Sequence, residues 1–107
     1  MQSRLKDKWV LITGASSGFG AAAAKAFAAA GARLLLGARR IEKLEQVAAE
    51  ARKAGAADVQ FRGLDVSRTI SVEQFMTWCR EIVGQSKSDT SHLHILINNA
   101  GGAQGLA

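Results

Sequence analysis

The stretch that decides the fold is "KWVLITGASSGFGAAAAKAFAAAG", Lys8 to Gly31. Its first six residues, 8–13, are short, apolar and β-rich, and predict a buried strand ended by glycine. The alanine-rich run that follows predicts a helix over 18–30, closed by Gly31. Between them lies "TGASSGFG", Thr13 to Gly20, with three glycines in eight residues. Such a turn lets backbone approach a ligand closely. The helix start behind it offers free N–H groups and a positive dipole end. Together they suit a pyrophosphate, and Ser16 and Ser17 add hydroxyl donors. A tight strand-to-helix turn with no ligand is the competing reading. The Gly-Lys-Ser/Thr ending of a P-loop is missing, which argues against a nucleotide triphosphatase.

Working outward, the pattern repeats. Residues 32–38 ("ARLLLGA") predict a second strand. Residues 40–54 predict a helix with Ile41, Leu44, Val47, Ala48 and Ala51 on one face, stopped by Gly55. Residues 57–63 predict a third strand. Residues 69–84 predict a third helix, with a stripe of Val72, Phe75, Met76, Cys79, Ile82 and Val83. A polar loop, 85–91, leads to a fourth strand, 93–98, then "NAGGAQGLA". Proline is absent, so nothing breaks the helices. Apolar strands alternating with helices imply a parallel sheet covered on both faces. Right-handed crossovers give the strand order 3-2-1-4. The class is α/β: the N-terminal portion of a Rossmann-like, doubly wound sheet, within one domain over 1–107.

With 107 residues and 48% hydrophobic content, the chain can bury one core and is not disordered by composition. No apolar run spans a bilayer and no signal peptide is read at the start, so a cytoplasmic location is expected. The single cysteine, Cys79, excludes an internal disulfide and falls in the helical stripe as a core thiol. The net charge of +5 is uneven, since residues 1–40 hold seven basic groups and one acid, Asp7. A nucleic-acid stripe would show interleaved aromatics, and there are none. A local phosphate site explains the asymmetry, as does a solvated start at Arg4, Lys6 and Lys8. His92 and His94 share a strand face, but no third ligand is evident, so no metal is expected.

In a doubly wound sheet, a ribose with a free 2′-OH meets an Asp or Glu about 20 residues past the glycines, at the end of strand 2. Here that place reads "GARR", Gly37 to Arg40, and no carboxylate occurs between Gly20 and Glu42. A guanidinium matches a phosphate with two hydrogen bonds. The expected cofactor is therefore NADP (NADPH) rather than NAD. The competing reading solvates both arginines and leaves the ribose to Glu42.

These residues resemble the short-chain dehydrogenase/reductase family. "TGASSGFG" is similar to its cofactor loop. "LDV", Leu64 to Val66, is similar to its adenine contact after strand 3. "NNAG", Asn98 to Gly101, is similar to its motif after strand 4. The pair "GFG" and "GARR" is similar to the family's NADP-dependent 3-hydroxy acid (serine-type) dehydrogenases. The resemblance implies that Gly14, Ser16, Ser17, Gly18, Phe19 and Gly20 line the pyrophosphate. It places Arg39, with Arg40, on the 2′-phosphate and Asp65 and Val66 on the adenine. Asn99, Ala100 and Gly101 fall beside the cofactor ribose.

The family's reaction is hydride transfer between nicotinamide and a carbonyl or alcohol, on a Ser and a Tyr-x-x-x-Lys. This sequence has no tyrosine. The resemblance therefore assigns it the cofactor-binding half, with no catalytic residue, and implies a homo-oligomer, a small-molecule substrate, and neither a nucleic-acid nor a membrane partner. A non-catalytic NADP sensor on the same fold is the alternative.

Overall fold

A computed structural model describes residues 5–85 and, as backbone, residues 93–98. The elements are β1 (Trp9–Thr13), α1 (Gly18–Ala29), β2 (Arg33–Ala38), α2 (Ile41–Ala54), β3 (Asp58–Gly63), α3 (Thr69–Gly84) and β4 (Leu93–Asn98). Each matches an element read from the sequence, with starts one residue later for the first three strands and for α2. The sheet is parallel, in the order β3-β2-β1-β4.

Strand alternation sorts the core into two halves. Val10 and Ile12 of β1, Leu34 and Leu36 of β2, and Val59 of β3 pack with α1 and α2. Trp9 and Leu11 of β1, with Leu35 of β2, pack with Phe75, Cys79 and Val83 of α3. The helices divide this way because of handedness. Two right-handed crossovers step from β1 to β2 to β3 and keep α1 and α2 on one face. The third steps back from β3 past both strands to β4, so α3 lands on the other face. Each large apolar side chain buried in these layers contributes about 1.5–3 kcal/mol.

Small residues set the layer spacing. Ala24 and Ala28 are the buried residues of α1 besides Gly20, so the helix lies close to the sheet. On the other face, a Cβ at Gly37 would lie 2.6 Å from Cζ of Phe75. Gly37 therefore makes room for the largest side chain of the α3 stripe. Cys79 is 3% exposed, and burial pushes its thiol up to about 12. It is a core thiol, neutral at physiological pH. One residue departs from the expected stripe: Ile41 is exposed, although Leu44, Val47, Ala48 and Ala51 of its helix are buried. It is the first residue of α2, and its Cδ1 lies beside Gly63, the last residue of β3, so the sheet end covers only part of the side chain.

Candidate cofactor site

In a parallel sheet all strands end on one edge, and the helices start there. Four large apolar side chains are exposed among the described residues: Phe19, Ile41, Val66 and Ile70. All four belong to this edge, because each follows a strand end or opens a helix. Phe19 is the extreme, at 68% exposure in the first turn of α1. Exposed apolar groups gathered along one edge mark a surface built to be covered.

The glycine turn is organised by Ser17. Gly14 has φ 67°, the left-handed region that favours glycine. Ser17 is the N-cap of α1, and its Oγ accepts from Gly20 N–H at 3.1 Å. The same hydroxyl donates to Gly14 O at 3.0 Å, so its proton turns inward and shapes the loop. Ser16 carries no hydrogen bond among the described residues and is the hydroxyl left over for a ligand.

The two remaining glycines of the loop differ. A Cβ at Gly20 would sit 2.9 Å from Ala15 Cα and against Gly14 O, so close helix-to-loop packing requires glycine there. A Cβ at Gly18 would meet nothing within 4 Å. Gly18 is exposed, and the space in front of it is open. The residues present thus fit a dinucleotide.

At the end of β2, Arg39 and Arg40 are both exposed, and neither has an ion pair among the described residues. Arg40 is the N-cap of α2 and makes no side-chain cap hydrogen bond. Helix starts favour Ser, Thr, Asp or Asn, and disfavour cations. Two arginines there break a local rule, and among the described residues neither has an ion-pair partner to offset it; Arg68 at the start of α3 is uncapped in the same way. Glu42 follows in the first turn of α2, where an acid suits the dipole.

The turn after β3 adjoins them, since Leu64 N–H donates to Ala38 O at 2.8 Å. Asp65 Oδ1 accepts from Ser67 Oγ at 2.6 Å and from Ser67 N–H at 3.0 Å. Asp65 N–H donates to Ser71 Oγ at 2.9 Å. The Ser67 hydroxyl, then its N–H, and more weakly Arg39 and Arg68, hold the Asp65 carboxyl below its ordinary value. Val66 N–H has no hydrogen-bond partner among the described residues.

The structure therefore sets the loop, the two arginines, Asp65 and Val66 along one edge. Asn99, Ala100 and Gly101 lie outside the described residues, as does His92. Among the described residues no three His, Cys, Asp or Glu groups stand together as metal ligands. Sequence reading passed over Ser67 and Ser71. For Ser67 the signal was present as Asp65-x-Ser67, the spacing of a side-chain-capped turn, whereas Ser71, six residues past Asp65, left none.

A family model described as short chain dehydrogenase matches residues 8–107. The chain belongs to that family. It is 43% identical over 94 residues to 11-beta-hydroxysteroid dehydrogenase A of Sesamum indicum, covering 88% of this chain and 25% of that protein. It is 41% identical over 99 residues to retinol dehydrogenase 11 of Homo sapiens, covering 92% of this chain and 29% of that one.

Two solved structures share the fold. One is an alcohol dehydrogenase from the archaeon Thermococcus sibiricus complexed with 5-hydroxy-NADP: TM-score 0.73, 36% identity, 85% of this chain and 36% of that one. The other is a metagenomic short-chain oxidoreductase in complex with NADP: TM-score 0.79, 33% identity, 92% of this chain and 41% of that one. The chain thus spans well under half the length of these relatives, and the part it matches is the nucleotide-binding part of a Rossmann-like sheet.

Proposed function

We propose that the chain is the cofactor-binding half of a NADP(H)-dependent oxidoreductase, which moves a hydride between nicotinamide and a carbonyl or alcohol. The observation that carries this reading is the uncapped, unpaired Arg39–Arg40 pair at the α2 start, on the edge that the glycine loop opens. The two solved relatives bound to NADP and 5-hydroxy-NADP support it.

The bound cofactor supplies the hydride chemistry. The chain's own residues bind and orient. The α1 N-terminus and the open space at Gly18 receive the pyrophosphate, with Ser16 as hydroxyl donor and Ser17 holding the loop in shape. Phe19 and Gly20 complete that wall. Arg39, with Arg40, reads the 2′-phosphate. Asp65 and Val66 take the adenine, while Asn99, Ala100 and Gly101 are assigned to the cofactor ribose. No proton donor for the reaction is assigned within residues 1–107.

The finer likeness, to NADP-dependent 3-hydroxy acid dehydrogenases, is part of this proposal. Relatives named for hydroxysteroid and retinol widen the substrate class to alcohols and ketones in general.

The test is Arg39→Ala in the intact protein, titrated with NADPH and NADH. A hydrogen bond to a charged group is worth about 1.5–3 kcal/mol, so NADPH affinity should fall roughly 10- to 150-fold. NADH affinity should barely change. Equal loss for both cofactors would mean that Arg39 does not read the 2′-phosphate.

A further inference from the structure

We propose that the outer edge of β3 is a self-association surface for a second copy of this chain, held shut by Arg52. Among the described residues β3 ends the sheet, with β2 on one side only. Its backbone directions follow from its neighbours. Arg33 N–H is used on Lys8 O and Leu64 N–H on Ala38 O, both at 2.8 Å. With Leu34 opposite Val59 and Ala38 opposite Gly63, the even positions of β3 turn their backbone to β2. Val59 and Phe61 turn theirs outward. Such an edge is a template for another strand. Here one of its acceptors is taken. The guanidinium of Arg52, in the last turn of α2, donates to Val59 O at 2.9 Å.

The sequence of this edge is complementary to itself. Laid antiparallel on a second copy about Gln60, Asp58 stands opposite the partner's Arg62, and Val59 opposite the partner's Phe61. Each pair shares a face. Val59 and Phe61 belong to the side of α1 and α2, so Asp58, Gln60 and Arg62 lie on the other. Neither Asp58 nor Arg62 has an ion-pair partner among the described residues. Opposite charges directly across two strands stabilise the pairing, and like charges oppose it. In this register Val59 and the partner's Phe61 exchange backbone hydrogen bonds. That exchange needs Val59 O, the atom that Arg52 occupies. Arg52 therefore sits on the acceptor that a second copy would use.

The experiment measures the mass of the intact protein by light scattering. Arg52→Ala should double the wild-type mass. The fold is retained, because Arg52 is exposed and alanine keeps its helix. Adding Asp58→Arg sets like charges across the strands and should return the wild-type mass. Adding Arg62→Asp as well restores opposite charges and should double it again. Gln60→Cys reads the same contact by cross-linking. The two copies of this position meet across the axis, at about 4.5 Å between Cα atoms, within disulfide range. Under mild oxidation Gln60→Cys should cross-link with Arg52→Ala present and not with Arg52 in place. Cys79 is buried and takes no part. An Arg52→Ala protein that keeps the wild-type mass overturns the proposal. So does a doubled mass that Asp58→Arg leaves unchanged, and so does cross-linking that is as fast with Arg52 in place.

Discussion

Two glycines two residues apart do different work. Gly20 is glycine because the chain itself fills the space where a side chain would go. Gly18 faces open space, so nothing inside the fold demands it. Gly20→Ala should therefore destabilise the protein by about 1–3 kcal/mol, the usual range for overpacking. Gly18→Ala should leave folding intact, or raise stability by up to about 1 kcal/mol through helix propensity. Its effect should fall on NADPH binding instead. Chemical denaturation beside cofactor titration separates the two. Equal destabilisation by both variants would remove the reason for placing a ligand in front of Gly18.

At the scale of the element, α1 is a helix whose start is organised by one hydroxyl. Ser17 caps Gly20 N–H and ties back to Gly14 O. Ser17→Ala should lower stability by about 1 kcal/mol, as other N-cap losses do. Ser17→Asp should restore much of that stability, since aspartate caps well and suits the dipole. The same aspartate would set a negative charge where the pyrophosphate is proposed to lie. NADPH affinity should then drop even though the helix is sound. A Ser17→Asp protein that binds NADPH as tightly as wild type would place the phosphates elsewhere. α2 shows the opposite arrangement. Its start carries Arg39 and Arg40 and no side-chain cap, so this helix relies on its buried face of Leu44, Val47, Ala48 and Ala51.

At the scale of the whole molecule, the sheet is covered unequally among the described residues. One face has α1 and α2, and the other has α3 alone. Among the described residues the sheet edges are β3 and β4, and β4 pairs only with β1. An unpaired strand edge beside a thinly covered apolar face favours association. The 107-residue polypeptide made by itself should therefore elute as aggregates and bind a hydrophobic dye. A monomer with a sharp, reversible unfolding transition would contradict this.

Much of this was legible in the residues themselves. Strand and helix periods, the glycine stops and the rule of right-handed crossovers were enough for seven elements and the order β3-β2-β1-β4. The reason is that these signals are local, or follow from chirality alone. The tight turn between β1 and α1 was legible too, because glycines directly after a strand and before a helix mark one. Tertiary structure decided the rest. It decided that the Ser17 hydroxyl is bonded within the loop while Ser16 has no hydrogen bond among the described residues, that Gly37 yields to Phe75, and that Ile41 is exposed at the sheet end. It also decided that Ser67 holds one oxygen of Asp65 and that the other has no hydrogen bond among the described residues. Each of these depends on where two segments meet in space and on which hydrogen bonds that meeting uses up. Residue type and spacing name the donors and acceptors. Only the packed chain determines which of them remain for a ligand.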